Sequence, residues 1–195
     1  AMTVMRDEVV KALVDIEVQG DEDGLIPAFN VLVNQLPVSF WNTFAERIMA
    51  AAPPEKKAEV EAGLLQSAYE CGYHTGYGII TSEEFTAVVE PMITAGAKDV
   101  LRGAYAVFTA WGWAKSGIVQ CKDGERMVVR ATDYYEADAG GDGLRAYMIR
   151  GVSAAFFELA FAEAYPNGMD TFECEQTQGI EAGDKYGEFV VTKKG

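Results

Sequence analysis

The sequence predicts an α+β fold: an antiparallel sheet from two hairpins packed with helices, preceded by an N-terminal helical arm. Three observations lead there. Apolar residues keep a helical spacing through the first half, and the pattern turns strand-like from Ala114 onward. Two strand pairs, each with a short connecting turn, bracket a single helix in the second half. The regular alternation of strand and helix that builds a doubly wound parallel sheet is missing.

Residues 4–18 carry Val9, Val10, Leu13, Val14 and Ile16 at loosely helical spacing. Gly20-Asp21-Glu22-Asp23-Gly24 reads as a solvated turn. It lacks the ligand alternation, central glycine and terminal Glu of an EF-hand, so calcium is not expected there. Residues 25–36 are mostly apolar and stop at Pro37. Residues 38–52 continue with Phe40, Trp41, Phe44 and Ile48 at helical spacing, which predicts a buried face. Pro53-Pro54 then breaks the chain, dividing an arm (residues 1–53) from a main domain (residues 54–195).

Residues 55–73 read as the next helix, with Val60, Leu64, Leu65 and Ala68 on its apolar side. The glycine-rich run Gly72-Tyr73-His74-Thr75-Gly76-Tyr77-Gly78 falls at its end, where glycine allows close packing on a neighbour. Ser82 followed by Glu83 and Glu84 caps a helix through Ile93. Gly96 interrupts, and residues 99–111 form another helix. Residues 114–120 and 127–135 are strands joined by Lys122-Asp123-Gly124-Glu125, a hairpin turn. Gly140-Gly141-Asp142-Gly143 is a loop. Residues 145–165 give the strongest helix, with Ile149, Val152, Phe156, Ala160 and Phe161 on one side and Pro166-Asn167-Gly168 at its end. Residues 171–178 and 186–192 are the last two strands.

Composition narrows the function. The 195 residues are 49% hydrophobic and 24% charged, an ordinary globular balance. Lys plus Arg is 16 against 30 Asp plus Glu, a net charge of −14, which argues against nucleic acid and anionic membrane as partners. No apolar run reaches the roughly 18–20 residues that span a bilayer. The first residues do not read as a signal peptide. Cys71, Cys121 and Cys174 are widely spaced with no CxxC pair, as in reduced thiols of a cytoplasmic protein. With one histidine, no P-loop, no GxSxG and no HExxH, neither catalytic residues nor a cofactor is expected.

Candidate binding residues are aromatic. His74, between Tyr73 and Tyr77, is either a satisfied structural histidine or the polar anchor of a ligand. Phe108, Trp111, Trp113, Tyr134, Tyr135, Phe156, Phe157 and Phe161 fill a core or line a pocket. The indole N–H and phenol O–H groups need polar partners in either case. Arg150 is read as a solvent-side ion pair, a partner of Glu173 or Glu175, or a ligand contact.

From Trp111 to Thr192 the chain resembles the V4R (4-vinyl reductase) domain family, which includes hydrocarbon-binding proteins and phenol-sensor domains. The resemblance rests on Gly112-Trp113, the hairpin with its acidic tail, and Arg150-Gly151-Val152-Ser153-Ala154-Ala155-Phe156. It rests too on the ending around Gly179-Ile180-Glu181-Ala182-Gly183-Asp184 and on the Gly72–Gly76 stretch. It implies a pocket between helices and sheet, bounded by His74, Tyr77, Trp111, Trp113, Tyr134, Tyr135, Phe156 and Phe157. Many members hold a zinc ion. The corresponding positions here are Ala146, Gln176, Gly179 and Gly187, none a competent zinc ligand, so no metal is expected.

The function implied is binding of a small hydrophobic or aromatic molecule by a sensor or carrier module. The family tends to dimerise, and the stripe of Phe40, Trp41 and Phe44 offers a surface for a homodimer. A reductase-type enzyme acting on a tetrapyrrole or similar substrate is the first alternative. A structural dimerisation module with a filled interior is the second.

Overall fold

The computed structural model describes residues 2–16, 18–93, 96–138 and 146–195. The expected loop Gly140–Gly143 and the predicted helix start at Arg145 lie outside the described residues. Helix α1 (Met2–Val14) is followed by a small hairpin of β1 (Ile26–Ala28) and β2 (Val31–Val33). The helical reading of the first half is therefore interrupted here. The two turn residues, Phe29 and Asn30, have φ of 51° and 60°, the left-handed geometry that suits a two-residue hairpin. The Phe29 ring is buried and packs edge to face on Trp111, which holds a bulky residue in that conformation.

Helix α2 (Val38–Ala51) forms where expected but buries no residue. Phe40, Trp41 and Phe44 are 43–48% exposed, so the predicted buried face is corrected. Helical spacing reports that an apolar stripe exists, not that this chain covers it. Asn42 Nδ2 donates to the Tyr135 carbonyl at 2.9 Å and ties α2 to the body.

Helix α3 (Lys57–Ile80) runs past Tyr73, so Gly72 and Gly76 lie inside the helix and not at its end. Close packing is still their role. A Cβ on Gly72 would stand 2.8 Å from the Val152 Cα, and one on Gly76 2.8 Å from Leu159 Cδ1. Opposite them, a Cβ on Gly151 would meet Ala68 Cβ and Tyr69 N at 2.6 Å. The cap expected at Ser82 forms: its Oγ accepts the Phe85 N–H at 3.1 Å, opening a wide π turn over Phe85–Val89. Helix α4 (Ala97–Ala110) follows.

Strands β3 (Ala114–Lys122), β4 (Arg126–Tyr134), β5 (Phe172–Gln178) and β6 (Gly187–Lys193) form one antiparallel sheet in the order β3-β4-β6-β5. The two hairpins join through β4 and β6, with Val129 opposite Phe189. Helix α5 (Tyr147–Phe161) lies against the sheet and α3 and stops short of Tyr165. The main core, with Tyr73, Tyr105, Met127, Ile149, Phe157 and Phe189, fills the space between sheet and helices. A second core joins Val9 and Leu13 of α1 to Phe29, Ile79, Phe85 and Val107. Arg150 pairs with Glu61 at 3.2 Å and not with Glu173 or Glu175. Among the described residues no helix is long and apolar enough to cross a membrane.

Candidate functional site

The chain turns from α4 into β3 through Trp111-Gly112-Trp113. Gly112 has φ of 77°, a conformation costly for a residue with a Cβ. The reversal sends the two indoles apart: Trp111 onto Phe29 at 5.5 Å, Trp113 onto Phe108 at 5.2 Å. Trp113 also meets Tyr135 edge to face at 6.0 Å.

Two cavities flank this junction. The outer cleft, about 690 Å³, lies between α1, the start of α2 and the open end of the β3–β4 hairpin. Trp113, Tyr134 and Tyr135 line it opposite Arg6 and Val10. Arg6 is fixed by donating from Nε to the Ser116 carbonyl at 2.9 Å and from Nη2 to Thr109 Oγ1 at 3.0 Å. The inner cavity, about 150 Å³, lies between α2, α3 and the N-terminus of α5. Trp41, Phe44, Leu64, Tyr135, Glu136 and Tyr147 are among its walls. Tyr135 belongs to both.

Trp113, Tyr134 and Tyr135 are thus brought together at the outer cleft. Phe156 stands behind Trp113, reaching it through Phe108. The other predicted residues lie elsewhere and line neither cavity. His74 is exposed, with Nδ1 at 2.9 Å from the Tyr165 hydroxyl, and Tyr77 stacks on the same Tyr165 at 3.9 Å. Trp111 belongs to the second core. Phe157 is fully buried between Phe161 and Phe172.

Glu136 and Arg6 escaped the sequence reading. Glu136 is 5% exposed; one carboxyl oxygen accepts the Met148 N–H at 2.8 Å and the other the Ile149 N–H at 3.1 Å. It therefore caps α5, where the helix dipole favours an acid. Burial nevertheless pushes its pKa from the usual 4.5 up to about 8, against the pull of those two N–H groups. The signal, had it been used, was an acid directly after Tyr134-Tyr135 at a strand end.

The positions matching the family's zinc site do converge, but the residues do not fit a zinc ion. Gln176 Oε1 accepts the Ala146 N–H at 3.1 Å, and Gln176 Nε2 donates to Glu181 at 2.7 Å. The Tyr134 hydroxyl donates to the other Glu181 oxygen and accepts the Ile180 N–H at 2.9 Å. Gly187 leaves room for the Tyr134 ring, since a Cβ there would stand 2.7 Å from Tyr134 Cε1. Nearby Cys174 is buried, which raises its thiol to about 12 and keeps it protonated. One carboxylate, that of Glu181, beside an amide, a phenol and a neutral thiol is a poor donor set for zinc. Among the described residues no group of three or more His, Cys, Asp and Glu could hold a metal.

No family model matches the chain, and no curated protein does. Solved structures do. The chain is similar to the crystal structure of the phenol-responsive sensory domain of the transcription activator PoxR with phenol, with TM-score 0.71 and 10% identity over 97% of this chain and 90% of that one. It is also similar to a trafficking protein particle complex subunit 3 from Naegleria fowleri covalently bound to palmitic acid, with TM-score 0.53 and 16% identity over 81% of this chain and 93% of that one. At these identities the likeness is one of fold.

Proposed function

We propose that this chain is a V4R-type module that binds a small hydrophobic or aromatic molecule as a sensor or carrier. The observation that carries this reading is the outer cleft walled by Trp113 and Tyr135. Its volume of about 690 Å³ falls in the roughly 300–1,000 Å³ range of small-molecule sites. The rings of Trp113 and Tyr135 provide apolar contact, and Arg6, Asp7, Lys11, Lys115 and Asp133 give the cleft a polar rim. The fold likeness to a phenol-bound sensory domain and a palmitate-bound subunit supports the same ligand class. In this reading residues 1–53 form an arm that closes one side of the cleft over the ligand domain of residues 54–195. A homodimer through the exposed stripe of α2 belongs to the same proposal. The net charge of −14 disfavours nucleic acid, and the free thiols suit a cytoplasmic setting.

Titrating phenol and a hydrophobic dye into the protein tests this. Saturable quenching of tryptophan fluorescence, with a rise in melting temperature, is expected. If neither ligand binds at millimolar concentration, the structural-module alternative stands instead.

A further inference from the structure

We propose that the inner cavity is a site for a small organic ammonium ion, held by the Glu136 carboxylate against the rings of Trp41, Tyr135 and Tyr147. The inference rests on the reading of the chain as a ligand-binding module and names a ligand class for it.

Glu136 is buried at the cavity wall and fixed by the backbone N–H groups of Met148 and Ile149. Each carboxylate oxygen has a second acceptor direction, so both can still take a proton donor from a guest. No cation is paired with Glu136 among the described residues. The positive group that acts on it, Arg150, is already paired with Glu61 at 3.2 Å. Among the described residues the other charged groups near it are acidic: Glu46 lines the same cavity from α2, and Glu181 acts on it from the turn after β5. From α3 the walls are the uncharged Leu64 and Ser67; Tyr147 comes from α5, and Tyr135 from the end of β4.

These groups discriminate among guests. An anion would meet the Glu136 and Glu46 carboxyl groups in a site of low polarity. A neutral hydrocarbon would fill the space and leave Glu136 protonated, with no gain from its charge. An ammonium ion satisfies the carboxylate and lies against aromatic faces, which attract cations. A volume of about 150 Å³ matches a guest of one ring, since an apolar cavity of that order holds benzene. The overall charge of −14 draws cations to the mouth.

The empty site holds Glu136 protonated at neutral pH, because burial lifts its pKa to about 8. An ammonium guest stabilises the charged carboxylate, so the carboxyl proton leaves to solvent as the guest enters. Affinity for the ammonium ion therefore rises by about tenfold per pH unit from pH 6 to 8, then levels off. Binding of a neutral guest does not follow that curve.

Calorimetric titration of the whole chain with benzylamine and with benzyl alcohol, at pH 6, 7 and 8, tests the proposal. Benzylamine should bind at least about tenfold more tightly than benzyl alcohol at pH 8 and lose that lead toward pH 6. Glu136→Gln should remove both the preference for benzylamine and its pH dependence. Equal affinities, or benzylamine binding that ignores pH, would overturn the ammonium site and leave the broader reading intact, because a neutral aromatic still binds. Absence of binding by both, and by phenol, overturns both. Should E136Q fail to fold, the pH profile of the unaltered protein decides alone.

Discussion

Tyr135 donates its backbone N–H to the Trp113 carbonyl at 3.3 Å, and their rings meet edge to face with centroids 6.0 Å apart. This contact closes the open end of the β3–β4 hairpin and presents one aromatic wall to the outer cleft. Tyr135 also lines the inner cavity. The two cavities therefore share this residue, which packs on Trp113.

Trp113→Ala should abolish phenol-induced quenching and leave the protein folded. The indole is half-buried, so the loss in stability should be about 2 kcal/mol, below the roughly 3–5 kcal/mol of a fully buried ring. Urea denaturation measures the second quantity and fluorescence titration the first. A loss near 5 kcal/mol with unchanged ligand response would assign Trp113 to core filling.

Gly151→Ala should destabilise by about 3 kcal/mol or more, because the new Cβ collides with backbone atoms of α3 that cannot rotate away. Gly63→Ala is the matched control. Nothing lies within 4 Å of a Cβ there, and the helix gains up to about 1 kcal/mol. Chevron or equilibrium denaturation of the pair gives the contrast.

Stability should fall as pH rises from 5 to 8. Burial raises Glu136 from 4.5 to about 8 and Glu158 from 4.5 to about 7. Each binds its proton more tightly folded than unfolded. The contribution is complete below about pH 4.5 and is lost as pH passes through 7 and 8, at no more than about 1.4 kcal/mol per pH unit per group. Melting temperatures across this range check the direction, and Glu136→Gln should flatten the upper part of the curve.

Tyr134→Phe should cost about 2 kcal/mol, since it leaves the Ile180 N–H and a Glu181 oxygen without their partner. EDTA should leave the melting temperature of the parent unchanged, because these residues hydrogen-bond to one another and make a poor donor set for zinc. A chelator-induced drop of several degrees would show that the donor set had been misjudged.

Light scattering at micromolar concentration should give a dimer mass, and Phe40→Ser with Phe44→Ser should shift it to the monomer. Both rings are nearly half exposed, so the substitution removes little core packing. A monomer mass for the parent chain would remove the dimer from the proposal.

The sheet was legible because its strands alternate and its hairpin turns carry polar or glycine residues; observed and expected strands agree within two residues. The β1–β2 hairpin was not, because its turn is Phe29-Asn30, without the glycine that usually marks such a turn. Helix α3 outran its expected end because tight packing on α5 outweighs the low helix propensity of Gly72 and Gly76. Trp113, Tyr134 and Tyr135 were found as aromatics at a junction. Glu136 was missed because its place directly after Tyr134-Tyr135 marks an acid at a strand end but not its burial, which comes from α2, α3 and α5 converging on it.

The interlocked glycines of α3 and α5 give the molecule a mechanical asymmetry. With backbone close to backbone at Gly72 and Gly151, and Gly76 seated under the Leu159 and Phe156 side chains, neither helix can slide or roll past the other without collision. The pair behaves as an anvil. Helix α2, with no buried residue and tied to the body by the Asn42–Tyr135 hydrogen bond, is the compliant jaw facing it across the inner cavity. In the proposed module, a guest that needs more room would displace α2 outward and move the face that carries Phe40, Trp41 and Phe44.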